Sequence, residues 1–154
     1  MNTSPATAIK SDGEMAITAG HTLLRLTTGG LIFVVHGWHK MTGGLEYWQH
    51  GTGWPLLEDI HVMHLPAPVF QAWAATVVQL VCPLFLMVGC FTRANALLLV
   101  AVLGGAVLQN VLAARDPQLA FLYLLLVFTL LIMGGGKWSW DAWQASAKPR
   151  KENK

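Results

Sequence analysis

The chain has 154 residues, of which 54% are hydrophobic and only 12% are charged, about half the charged share of an average soluble domain. The mean hydropathy is +0.48. The net charge of +2 is small and the basic residues form no compact patch, which excludes a nucleic-acid-binding class. A very apolar soluble bundle is disfavoured because residues 97–108 and 119–133 carry no charge on any helical face, where a soluble helix keeps a polar stripe.

Residues 1–19 form a polar leader without the apolar core and small-residue cleavage site of a secretory signal. We expect a cytoplasmic amino-terminal tail, disordered or lying on the surface, followed by a first span that is retained as an anchor. The membrane domain is expected at residues 20–143, and a basic cytoplasmic tail at residues 144–154.

Four apolar stretches have the length that crosses about 30 Å of hydrocarbon as a helix. They are Thr22–Trp38, Val69–Cys90, Asn95–Leu112 and Leu119–Met133. Short turns join the last three, so neighbouring helices must be antiparallel. The prediction is an all-α integral membrane protein, an antiparallel four-helix bundle surrounded by the lipid bilayer.

Positive charges collect on one side of these spans. That side holds Lys10, Arg25, Arg93, Lys137, Lys148, Arg150, Lys151 and Lys154. The positive-inside rule therefore predicts that both termini are cytoplasmic. Tryptophans form two groups that agree with aromatic belts at the water boundaries, with Trp38, Trp48, Trp54 and Trp73 outside and Trp138, Trp140 and Trp143 inside.

The connection between the first two spans, about residues 41–68, is rich in Gly and Pro, so a long helix is not expected there. Its apolar side chains, Trp54 among them, predict a loop that folds back as an extracytoplasmic cap and covers part of a membrane ligand. Within the spans, Pro83 should kink the second helix and free a carbonyl. The pairs Gly29–Gly30 and Gly104–Gly105 are expected to allow close helix packing.

A polar stripe on the first span is the main candidate site. Arg25, His36 and Lys40 share one face of an otherwise apolar helix and should look inward, because ionisable groups at membrane depth are costly and usually functional. Arg25 has the alternative of snorkelling at the inner boundary. His36 and Lys40, expected at the outer end, suit a quinone carbonyl or another electron-rich head group; anchoring at the water interface is the alternative.

Neutral amides on the other spans could complete such a pocket or simply join helices. Gln79 and Asn110 are the candidates, and an amide orients a ligand without cycling a proton. A metal site is not expected, with His61 and His64 as the weak alternative. Cys82 and Cys90 lie about 12 Å apart along one helix, too far for a disulfide.

Three ordered motifs resemble the DoxX family. They are LLR at 23–25 with HGWHK at 36–40, GCFTR at 89–93 and GGGKWSWD at 134–141. The resemblance covers about residues 20–143 and implies a four-helix protein of the bacterial cytoplasmic membrane. Arg25, Arg93 and Asp141 lie in these motifs and are expected to be structural.

The family is linked to quinone-dependent thiosulfate oxidation in some members and to redox or thiol stress in others. Compared with many relatives, this chain has amides in place of titratable side chains at Gln79, Asn110 and Gln118. We therefore expect an accessory subunit of a quinone-linked redox complex, with other membrane subunits as partners, no covalent cofactor, and no complete active site of its own. The alternatives are a quinone-binding oxidoreductase subunit, with a quinone as cofactor, and a permeation or chaperone-like protein.

Overall fold

The computed structural model describes residues 5–147, with side chains from residue 11 onward. All regular structure within this part is helical. It comprises α1 (Pro5–Leu31), a π-helical segment (Ile32–Trp38), α2 (His39–His50), α3 (Pro55–Val62), α4 (Pro68–Val88), α5 (Thr92–Leu112), α6 (Gln118–Met133) and α7 (Trp140–Ala147). Of the predicted basic tail, residues 148–154 lie outside the described residues.

The first three segments form one continuous helical rod from Pro5 to His50. One expectation is wrong here, and another holds only in one of its alternatives. The polar leader is helical from Pro5 rather than disordered, because its Ala-, Met- and Glu-containing sequence extends a helix that is already nucleated; its position on a surface stays a prediction. The segment expected to leave the helix at residue 41 stays helical to His50, where Gly51 ends it in the left-handed conformation (φ 65°).

Glycines inside α2 are kept helical by packing. A Cβ on Gly44 would lie 3.0 Å from the Trp54 ring and 3.1 Å from the Trp73 ring, so these indoles pack directly on the helix backbone. The chain after α2 folds back beside them: α3 packs on α4, and Trp54, Leu57 and Ile60 are buried in a small separate core. The extracytoplasmic position of this cap stays a prediction.

The rod, α4, α5 and α6 pack side by side. The rod contacts α4, α4 contacts α5, and α5 contacts α6. Leu86, Leu99, Leu103, Val127 and Leu130 are at most 1% exposed and form the centre of the main core.

Two helices of the described part are long and apolar enough to cross a membrane, α4 and α5. α6 is apolar but shorter, with 16 residues. These three helices follow the predicted spans within a few residues. The stretch predicted as the first span is helical throughout and belongs to α1 and the π-helical segment, but it is not one of these two helices.

The glycine pairs behave differently from one another. A Cβ on Gly29 would meet the Met87 side chain at 2.6 Å and the Pro83 carbonyl at 2.9 Å, so Gly29 permits the close approach that was predicted. Gly104 and Gly105 have nothing within 4 Å of a built Cβ. The prediction of close packing at Gly104 and Gly105 is therefore wrong, because no neighbouring helix comes near this pair.

Candidate functional site: a polar cavity half-way along the helices

A cavity of about 610 Å³ lies between the rod, α5 and α6, with the chain around α3 at its outer mouth. The five candidate ligand residues from the sequence all line it: His36, Lys40, Trp54, Gln79 and Asn110. The structure thus brings together side chains from four separate segments of the chain. Their role as ligand contacts stays a prediction.

Lys40 occupies the deep end of this cavity. Its Nζ donates a hydrogen bond of 2.7 Å to Oε1 of Gln79, which is 1% exposed. Gln79 is near the middle of the 21-residue α4, a helix about 31 Å long. The expected position of Lys40 at the outer end is therefore wrong.

The rod and α4 pair in a register that explains this depth. Gly37 packs against the backbone carbonyl of Gln79, and this carbonyl lacks its usual helical donor because Pro83 has no N–H. Gly29 lies beside Pro83 and Gly44 beside Trp73. α4 thus contacts the rod at least over residues 29–44, which extends several residues beyond the end of the predicted Thr22–Trp38.

His36 belongs to the π-helical segment, a local geometry often associated with functional sites. Its ring packs edge-on against Tyr123 at a centroid distance of 4.9 Å. Its Nε2 atom is buried and has no hydrogen-bond partner. A buried polar atom beside a cavity is costly unless something in the cavity satisfies it.

Carboxylates at the outer mouth were missed by sequence reasoning. Glu46, Asp59 and Asp116 line the cavity: Glu46 lies on α2, and the fold-back of α3 and the α5–α6 turn bring Asp59 and Asp116 beside it. Arg115 joins two of these elements through a 2.8 Å ion pair with Asp59. The bond and charge of Asp59 raise the pKa of Arg115. The turn residue Arg115 therefore holds α3 over the mouth.

The closing motif builds a second site at the other end of the molecule, around the start of α5. Asp141 Oδ1 accepts a hydrogen bond from the Phe91 N–H at 2.8 Å, and Oδ2 accepts from the Thr92 N–H at 2.9 Å and from the Thr92 hydroxyl at 2.8 Å. Burial alone would raise the pKa of Asp141, but these bonds and the charge of Arg25 outweigh it and lower the pKa.

Arg25 completes this inner junction. It is 3% exposed and donates to the carbonyls of Gly135 and Trp138, the latter at 2.8 Å. The guanidinium is thus held by carbonyls of the chain before α7, and snorkelling at a membrane boundary stays an alternative prediction. His21, missed in the sequence, packs at the same junction against Gly136; burial, and then Arg25, lower its pKa.

The remaining candidates lie outside the cavity. Arg93 is exposed beside the inner junction, with its side chain near Gly134, and it lines the same opening as Thr92 and Asp141. His61 and His64 are exposed at the end of α3. Within the described residues, no group of three or more His, Cys, Asp or Glu is arranged to hold a metal ion.

The first two motifs agree with a comparison against known families. The family model described as DoxX matches residues 20–112, which include Arg25, His36, Lys40 and Gln79. This chain belongs to the DoxX family. The DoxX match ends before the closing motif, which the structure nevertheless packs onto the matched part through Arg25 and Asp141. No curated protein and no solved structure gives a significant match.

Proposed function

We propose that this DoxX protein is an antiparallel four-helix bundle of the bacterial inner membrane, with both termini cytoplasmic. Burial supports this: only 33% of the most apolar window of α4 and 17% of that of α5 is buried, whereas a core helix of a soluble protein is buried on most sides. Large apolar side chains face outward on all three apolar helices, as with Phe85, Leu97 and Leu122.

We further propose that the cavity binds the head group of a quinone. The observation that carries this proposal is the Lys40 ammonium, fixed by Gln79 half-way along the bundle and facing open space. A cation at that depth is costly unless electron-rich atoms surround it. Gln79 supplies one oxygen, and a quinone carbonyl would supply another.

The surrounding residues fit a flat ring with two carbonyl groups. The unpartnered Nε2 of His36 would donate to a carbonyl in the tautomer that carries the hydrogen on Nε2, and the Asn110 amide offers a donor from the facing helix. Trp54, buried at the outer end, would cover one face of the ring. The redox role as an accessory subunit rests on the family resemblance, which links some members to quinone-dependent oxidation.

The test is purification in mild detergent, followed by mass spectrometry of bound isoprenoid quinones and of co-purifying chains. We expect close to one quinone per chain for the natural protein. Lys40→Met should lower quinone affinity at least tenfold, because one charge-assisted hydrogen bond contributes about 1.5–3 kcal/mol. Lys137→Met is the matched control, since Lys137 is exposed and pairs with Glu14 away from the cavity.

Retention of quinone by Lys40→Met at the natural level would refute the assignment of the head-group site. Absence of quinone from the natural protein would refute quinone binding itself. Purification as a single chain type from its native membrane would contradict the accessory-subunit role.

A further inference from the structure

A second, apolar opening lies on the side of the molecule, between α3, α4 and α5. This lateral groove has a volume of about 310 Å³ and is lined mainly by Ile60, Ala75, Val78, Ala101, Val102 and Gly105. It faces outward between two helices that are proposed to contact lipid. In a bilayer, such an opening admits hydrocarbon chains and excludes water.

The lateral groove and the polar cavity meet. Lys40, Leu56, Ala106 and Gln109 line both of them. The Lys40 ammonium therefore lies where a polar compartment and an apolar compartment join. A molecule with a polar head and a long apolar tail matches this pair of compartments, because each part would contact surface of its own kind.

Small side chains keep the groove open. A Cβ on Gly105 would meet nothing within 4 Å, and half of the other positions on α4 and α5 that line the groove are alanine. At the same time α4 and α5 pack closely elsewhere, with Ala96 and Leu99 fully buried. The opening is thus local to the level of Lys40.

Resting on the proposed function, we infer that the ligand is a tailed quinone that enters sideways from the bilayer, with its isoprenoid tail in the lateral groove and its head at Lys40. The tail gains little hydrophobic free energy, since it leaves hydrocarbon for an apolar groove. The groove instead provides room for the tail, so that the head group of a tailed quinone can reach Lys40.

The test compares two probes in lipid nanodiscs: a tail-less benzoquinone, and the same head group with four isoprenoid units. Gly105→Phe should fill the groove. We expect it to weaken binding of the tailed quinone at least tenfold and to leave the tail-less quinone unchanged, because the latter can enter through the outer mouth. Gly104→Phe is the matched control: its built Cβ also meets open space, but residue 104 does not line the groove.

Ala101→Phe, at an exposed position of the same groove, repeats the test should Gly105→Phe fail to fold. Three results would overturn the inference while leaving quinone binding intact. The groove variants could bind both probes as tightly as the natural protein does, or a folded groove variant could bind both probes more weakly by the same factor. The third is that the natural protein binds the tail-less probe but not the tailed one. Failure of the natural protein to bind either probe refutes the proposed function, and this inference with it.

Discussion

Removal of the Asp141 carboxylate is the sharpest test of how the inner junction stabilises the fold. This side chain accepts three hydrogen bonds, all from the first residues of α5 or the residue before it. It therefore caps a helix whose own sequence provides no side-chain cap. Without this cap, α7 and the glycine-rich segment before it should no longer pack against the start of α5.

The magnitude follows from those bonds. A hydrogen bond to a charged group contributes about 1.5–3 kcal/mol, and an N-cap about 0.5–2 kcal/mol. Asp141 is half-buried, so water replaces part of the lost bonding. We expect Asp141→Ala to lower the free energy of unfolding by about 2–4 kcal/mol. Thr92→Val, which removes only the hydroxyl donor, should cost about 1 kcal/mol.

The assay is reversible unfolding in mixed micelles of a mild detergent and dodecyl sulfate, followed by circular dichroism. Because the folded-state pKa of Asp141 is lowered, its contribution is complete above the unfolded value of about 4 and is lost as the pH falls through the folded value. The difference between the natural protein and Asp141→Ala should therefore shrink below about pH 4. Asp12→Ala, at an exposed position of α1, is the control. A loss under about 0.5 kcal/mol for Asp141→Ala at neutral pH would refute the reasoning, as it is the size of an ordinary surface effect.

Three further outcomes follow from the same structure. Arg25→Lys should lower the unfolding free energy by about 1–3 kcal/mol in the same assay, because an ammonium cannot bond both carbonyls in the guanidinium geometry; natural stability would contradict this. Gly37→Ala should destabilise, since its Cβ would overlap the α4 backbone, whereas Gly104→Ala should be neutral or stabilise by up to about 1 kcal/mol; equal effects would contradict the packing described. Arg115→Gln should leave the free energy of unfolding close to that of the natural protein, because the Arg115 side chain is 56% exposed and water screens its ion pair with Asp59. It should nevertheless increase proteolysis of the chain around α3; unchanged cleavage there would show that the ion pair does not hold this segment.

Helices α4, α5 and α6 follow from the sequence because their apolar runs are long and their ends are marked. Pro68 begins α4, and Gly89 and Gly134 end α4 and α6 in positive-φ conformations. These signals are local, so no tertiary information is needed to read them.

The continuous helix of the rod, by contrast, could not be predicted from the sequence. Gly43 and Gly44, with the Gly and Pro residues that follow them, resemble a loop by composition, whereas the structure packs Trp54 and Trp73 on the helical backbone at Gly44. The depth of Lys40 was misjudged for the same reason, since it depends on the pairing of Gly37 with the Gln79 carbonyl. Tertiary contacts override propensity here.

The cavity was partly predictable. Polar side chains on apolar helices identify His36, Lys40, Gln79 and Asn110 as unusual, because each is costly at membrane depth. The carboxylates at the mouth and the lateral groove depend on how distant segments fold back, which local patterns do not contain.

The most direct test of the central claim is to map where a quinone head group lies. A photoreactive azidoquinone would be cross-linked to the protein in nanodiscs, and the labelled peptides identified by mass spectrometry. The account predicts labels within residues 36–40, around Gln79 and within residues 103–110, and their loss in Lys40→Met. Labels confined to outward-facing residues such as Phe70 and Phe85, unaffected by Lys40→Met, would contradict it.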